Sequence, residues 1–136
     1  FGIISLGYAV KEKKYNLISS FQKDYVANYL KKNIENFYII GDVEDRLPYN
    51  LFVCFPGVDG EWLMSFLDQS GIQVSTGSAC NSGTKEISPT LKAIGIDSKK
   101  SHCCIRITFN GNETPDDLHY LCEKIKYYIE VIRKFS

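Results

Sequence analysis

The segment "TPDDLHYLCEKIKYYIEVIRKF" near the end of the chain constrains the fold most. Leu118, Leu121, Ile125, Ile129 and Ile132 recur at three- and four-residue intervals, which puts a single apolar stripe along a helix of several turns. Thr114 stands as its N-cap and Pro115 at its first position. Asp116 and Asp117 sit beside the positive end of the helix dipole. A helix with one apolar stripe and charges elsewhere is stable only when laid against a second layer, so the rest of the chain has to supply a surface of matching length.

That surface is legible as short strands. "NFYIIGD" reads as a strand ended by Gly41 and Asp42, and "VEDRLP" as a polar connection. "YNLFVCF" is apolar on both faces and reads as an interior strand. "IQV" reads as a third, short strand, and "HCCIRITF" as a fourth in which His102, Cys104, Arg106 and Thr108 share a face. Helical patterns lie between them. Tyr15, Ile18, Phe21, Tyr25 and Tyr29 suggest an amphipathic stripe, within a first third that is helical in two parts up to about Asn33. In "VDGEWLMSFLDQSG", Asp59 is the expected cap, Trp62, Leu63, Phe66 and Leu67 the expected apolar side, and Gly71 the stop. Ser88 and Pro89 open a brief helix that ends at Gly95. The order α-β-β-α-β-α-β-α, joined by short connections, predicts an α+β domain with a small mixed or antiparallel sheet of about four strands packed against helices.

Length fits one domain, since 136 residues bury about two-thirds of the surface the unfolded chain exposes. The 16 basic and 16 acidic residues cancel, which argues against a nucleic-acid or anionic-membrane surface as the main business. No apolar run approaches the roughly 20 residues that span a bilayer. The N-terminal stretch lacks a basic leader, a cleavage site and an initiator Met, so the chain is read as an excerpt of a longer one, and its cysteine usage as that of a cytoplasmic protein.

Five cysteines, at 54, 80, 103, 104 and 122, form an odd set with two adjacent members and no CxxC pair. Neither a disulfide framework nor a metal site fits that spacing, and reduced thiols do. Cys54, Cys104 and Cys122 lie in apolar patterns and read as small buried hydrophobes. Cys103 is expected on the opposite face from Cys104. Cys80 differs from all of them. It sits in "VSTGSACNSGT" among residues that favour turns and backbone freedom: Ser75, Thr76, Gly77, Ser78, Ala79, Asn81, Ser82 and Gly83. A thiol reacts as its thiolate, with an ordinary pKa of about 8.5, and no base, cation or helix start lies within two residues of Cys80. Two readings stay open on these residues alone: an incidental exposed thiol, or a nucleophile on a mobile active-site loop that swings to meet its activating group.

The segment "GIQVSTGSACNSGTKEISPTLKAIGI" resembles the active-site segment of cysteine desulfurases of the NifS/IscS type, pyridoxal-phosphate enzymes of fold type I in the class V aminotransferase superfamily. "RLPYNLFVCFPGVDGEWLMSFLD" and "HCCIRITFNGNETPDDLHYL" resemble the flanking segments of the same family at matching distances. The resemblance implies that residues 1–136 form the family's C-terminal small domain. The domain bearing the pyridoxal-phosphate lysine is then expected N-terminal to residue 1. It implies that Cys80 attacks the sulfur of cofactor-bound L-cysteine, forms a persulfide, releases alanine, and passes the sulfur to an acceptor or scaffold protein for iron–sulfur cluster assembly, tRNA thiolation or a similar end. It also implies that Arg106 holds the substrate carboxylate, where the residues alone favour a surface ion pair. His102 is expected to be structural and His119 solvated.

Pyridoxal 5'-phosphate is expected in the full-length homodimeric enzyme. This segment by itself is expected to bind neither cofactor nor metal and to be inactive. The alternatives are a selenocysteine lyase or related class V lyase, or a stand-alone, cofactor-free small domain acting as a binding module. The sequence departs from the family after Arg106, where Asn110 and Gly111 replace a usual Gly-Arg, and at Ile87-Ser88-Pro89, which replaces a usual Pro-Ser-His.

Overall fold

A computed structural model describes residues 20–42, 45–77 and 88–135. Among them run α1 (Phe21–Asn33), β1 (Tyr38–Ile39), β2 (Asn50–Cys54), α2 (Gly60–Gln69), β3 (Ser75–Thr76), α3 (Pro89–Ala93), α4 (Ser98–Ser101), β4 (Cys104–Thr108) and α5 (Pro115–Phe135). The four strands form one sheet in the order β1-β2-β4-β3, with every neighbouring pair antiparallel. This is the expected α+β arrangement of a small sheet on helices.

The two faces of the sheet are set by the two-residue period of the strands. Leu51 pairs with Ile107 and Val53 with Ile105, and all four side chains are buried on the face covered by α1, α2 and α5. The predicted stripe of α5 closes this layer, with Leu118, Leu121, Ile125, Ile129 and Ile132 buried together with Cys122. The cap forms as read: Thr114 Oγ1 accepts from Asp117 N–H at 3.2 Å, and Asp117 Oδ2 accepts in return from Thr114 N–H at 2.9 Å. Asp59 likewise caps α2, accepting from the N–H groups of Glu61 and Trp62 at 2.9 and 3.1 Å. The start of α2 presses on β4. A Cβ at Gly60 would stand 2.9 Å from the His102 carbonyl oxygen and 3.0 Å from that of Cys104, so only glycine fits there.

Several expectations are corrected. The buried side of α1 is Gln22, Val26, Ala27 and Leu30, while Phe21 is 51% exposed and Tyr25 and Tyr29 lie only half-buried at the margin. Tyr15 and Ile18 fall outside the described residues. On α2, Leu63 and Leu67 are buried, Phe66 is half-buried, and Trp62 is 59% exposed, so the apolar side is narrower than the sequence suggested. The third strand begins at Ser75, where pairing with Arg106 and Ile105 of β4 starts, and not over "IQV". Ser75 and Thr76 are therefore strand residues rather than part of a loop. Ser88 makes no side-chain cap to α3. The one-turn helix α4, capped by Asp97 Oδ1 accepting from Lys100 N–H at 2.7 Å, had no counterpart in the sequence reading.

Candidate functional site

The described residues leave the second face of the sheet open over much of its area. Asn50 pairs with Thr108 and Phe52 with Arg106 across β2 and β4, and Ser75 faces Arg106 from β3. Arg106 is exposed. Only the Cys104 end of that face is covered. At the Arg106 end the guanidinium stands over a cleft of about 630 Å³ whose lining includes Phe52, Met64, Thr76, Gly77, Ser88 and Leu91. A second lobe of about 580 Å³ adjoins it, shares Met64, Val74, Ser75 and Arg106, and adds Asp68, Gln73 and Thr108. Arg106 is thus the cation common to both lobes.

Its contacts decide what it can do. Arg106 Nη2 donates to Ser75 Oγ at 3.3 Å, and among the described residues no carboxylate pairs with it. The surface ion pair that the residues alone favoured is absent there. A guanidinium held by a neutral hydroxyl, between an aromatic wall and a Met side chain, keeps its remaining donors for an incoming anion. A carboxylate can engage it through two parallel hydrogen bonds.

The described residues on either side of the segment that carries Cys80 lie at this cleft. Residues 78–87, including Ser78, Ala79, Cys80, Asn81, Ser82 and Gly83, lie outside the described residues. Gly77, where the described chain pauses, and Ser88, where it resumes, both line the cleft. Gly77 N–H donates to the Cys104 carbonyl at 3.1 Å. A Cβ there would meet Leu91 Cδ1 and the Ser101 carbonyl oxygen, both at 3.1 Å, and Cys104 Cβ at 3.3 Å. The absence of a side chain lets the end of β3 sit down on the turn before β4.

Neither histidine joins the site. The His102 carbonyl accepts from Gly60 N–H at 2.8 Å, and His119 lies exposed with its ring 6.3 Å from that of Tyr29. Among the described residues no group of His, Cys, Asp and Glu side chains is placed to hold a metal ion. The described lining of the cleft also contains no lysine amine. It therefore does not fit a pyridoxal phosphate bound through a Schiff base to these residues.

The remaining thiols divide by environment. Cys122 is buried in the helix-covered core, and burial, with the Glu123 charge, pushes its thiol up to about 12. Cys54 and Cys104 are fully buried on the other face with Ile40, as expected of small hydrophobes. Cys103, expected on the opposite face, is half-buried and packs against this group too, and burial holds its thiol above the ordinary value. The sequence reading missed this cluster, and it missed Phe52 and Met64 as walls of the cleft. Strand register was the signal for both. Once β2 and β4 are paired, residues 54 and 104, and 52 and 106, become direct neighbours.

Comparison with known proteins gives a consistent result. The profile of the class-V aminotransferase family matches residues 8–121. The cysteine desulfurase IscS of Dictyoglomus turgidum is 34% identical over 141 residues, which cover 99% of this chain and 36% of that protein. The cysteine desulfurase IscS of Neisseria gonorrhoeae is 35% identical over 143 residues, covering 98% and 34%. Among solved structures, a NifS-like protein superimposes with a TM-score of 0.68 at 26% identity, over 82% of this chain and 27% of its own. A NifS-like protein from Rickettsia africae superimposes with a TM-score of 0.70 at 21% identity, which speaks to fold alone; it covers 84% of this chain and 29% of its own. The chain spans about a third of the length of the curated relatives it matches.

Proposed function

The chain belongs to the class-V aminotransferase family, and on that premise we propose that it is the C-terminal small domain of a cysteine desulfurase, with residues 1–136 forming that domain. The observation that carries this reading is the Arg106 guanidinium, which pairs with no carboxylate among the described residues, in a cleft whose lining includes Gly77 and Ser88, the described residues on either side of the Cys80 segment. The three residues from Gly77 to Cys80 span at most about 11 Å of extended chain, a length compatible with the thiol meeting a substrate whose carboxylate rests on Arg106.

In this reading Arg106 binds and orients the carboxylate of L-cysteine, with Phe52 and Met64 limiting water around it. Cys80 is the nucleophile. Its sulfur forms a bond to the substrate sulfur, the substrate Cβ–S bond breaks, and alanine leaves with the electron pair and a proton. The enzyme is left as a persulfide, and no external oxidant or reductant is consumed. The carbanion-stabilising chemistry is that of pyridoxal phosphate. The described cleft residues do not fit its attachment, so the lysine that holds it is assigned to another part of the full-length, homodimeric protein. The persulfide sulfur then passes to an acceptor or scaffold protein in the cytoplasm. Among the described residues no helix is long and apolar enough to cross a membrane.

The test uses the full-length protein supplied with pyridoxal phosphate and L-cysteine. Cys80→Ala is expected to retain cofactor absorbance and to lose persulfide and alanine formation by several orders of magnitude. Undiminished alanine release in that variant would remove the mechanism. Selenocysteine in place of cysteine separates a lyase from a desulfurase: a lyase would release alanine from selenocysteine alone.

A further inference from the structure

The buried thiols on the second face lie outside the cleft, and none of them lines it. Tyr38, Cys54 and Cys104 occupy one line across three strands, since Tyr38 pairs with Cys54 and Cys54 with Cys104. The type of the second pairing matters. Phe55 N–H donates to the Cys103 carbonyl at 2.9 Å and Phe109 N–H to the Tyr49 carbonyl at 2.8 Å, so the odd-numbered residues of β2 make the hydrogen-bonded pairs. Cys54 and Cys104 therefore form a non-hydrogen-bonded pair, the type in which Cα atoms approach to about 4.5 Å and side chains come closest. That separation falls inside the range of about 4.4–6.8 Å that a disulfide requires. Both sulfurs also converge on one acceptor: Cys104 Sγ donates to the Lys100 carbonyl at 2.9 Å, and Cys54 Sγ reaches the same oxygen at 3.6 Å.

We propose that Cys54 and Cys104 are a redox pair that forms a cross-strand disulfide when the protein meets a small peroxide. The two thiols are not equivalent. Once Cys54 is a thiolate, the Cys104 proton, and secondarily that of Tyr38, can turn to it, which holds the Cys54 thiol below its ordinary value against the opposing effect of burial, while the Cys104 and Tyr38 protons are held more tightly than usual. Cys54 is the attacking thiolate. It takes one oxygen of hydrogen peroxide, the O–O bond breaks, and the departing hydroxide leaves as water. Cys104 then loses its proton, displaces the oxygen from Cys54 as a second water, and closes the S–S bond. Two thiols and one peroxide give one disulfide and two waters. Access runs past β1, a two-residue edge strand whose half-buried Tyr38 forms the outer wall, so reaction follows local opening of that edge and is slower than at an exposed thiol. The bond would pin β2 to β4 directly beneath Gly77, the root of the segment that bears Cys80.

The test treats the native full-length protein with hydrogen peroxide, removes the excess with catalase, unfolds it in iodoacetamide, and maps disulfides by mass spectrometry. Digestion with trypsin and chymotrypsin separates residue 54 from residue 80. The expected product is a cross-link from the Cys54 peptide to Cys104, lighter by two hydrogens and cleaved by dithiothreitol. It persists in Cys103→Ser and disappears in Cys104→Ser. If the latter variant does not fold, fragmentation of the wild-type cross-link between residues 103 and 104 gives the same assignment. Carbamidomethylated Cys54 and Cys104 after treatment, a link to Cys103 or Cys80 instead, or sulfinic acid without a link would overturn the proposal.

Discussion

The two faces of one four-stranded sheet follow opposite rules. On the covered face β2 and β4 place Leu51, Val53, Ile105 and Ile107 under α1, α2 and α5, and the one thiol among the described residues of that layer, Cys122, is insulated from chemistry. On the other face, beyond the packed Cys54 and Cys104 end, the intervening positions carry Asn50, Phe52, Ser75, Arg106 and Thr108, a set that gives little packing and presents one cation to a cleft. Adjacent residues of β4, Ile105 and Arg106, thus serve stability and, in the proposed reading, binding separately. Mutations one position apart should therefore have unrelated effects, and this is where the comparison can be broken.

The largest effect is expected on the covered face. Leu51→Ala should lower unfolding free energy by about 3–4 kcal/mol in denaturant titration, because Leu51 has no solvent exposure and its removal leaves a cavity in the core. Arg106→Ala should leave stability within about 0.5 kcal/mol of the parent, as usual for an exposed residue. In steady-state kinetics of the full-length protein it should raise KM for cysteine about 10- to 100-fold, the scale of a lost charge-assisted contact. A loss of stability as large as that of Leu51→Ala would show that the open face also carries the fold.

A pH titration sharpens the same contrast. The folded Cys122 keeps its proton up to about pH 12, whereas the unfolded chain loses it near the ordinary thiol value. Folding then binds the extra proton, so its contribution is complete below the unfolded pKa and drains away as pH rises towards 12. Stability should fall over that window by at most about 1.4 kcal/mol per pH unit from this thiol, and Cys122→Ala should flatten the descent. A modest effect is expected at the α2 cap, where Asp59→Ala should cost about 1 kcal/mol of stability by removing an acceptor from two helix N–H groups.

Much of this was legible in the residues, for reasons that also explain the misses. The α5 stripe was readable because five aliphatic residues hold a helical period over four turns, and no other surface could satisfy them. Strands β2 and β4 were readable from β-branched and aromatic runs bounded by turns. The stripe of α1 was misplaced because tyrosines were counted as core. Their hydroxyls keep Tyr25 and Tyr29 at the margin, and Tyr29 uses its own to bond Glu123, while the smaller Val26 and Ala27 pack inside. Trp62 was misplaced for a related reason, since a ring that large meets water once Leu63 and Leu67 fill the contact. The third strand was shifted because its start is fixed by pairing with Arg106, which is non-local. Arg106 itself was found through resemblance. Its freedom from ion pairing among the described residues, and its neighbours Phe52 and Met64, needed the register.

The most direct measurement is mass spectrometry of the peptide carrying residue 80, after the full-length protein has reacted with limiting L-cysteine, in the parent and in Arg106→Ala. The account predicts one added sulfur on Cys80 in the parent and a strongly reduced yield in the variant at unchanged stability. Equal sulfur loading in both proteins, or added sulfur on another cysteine with none on Cys80, would contradict it.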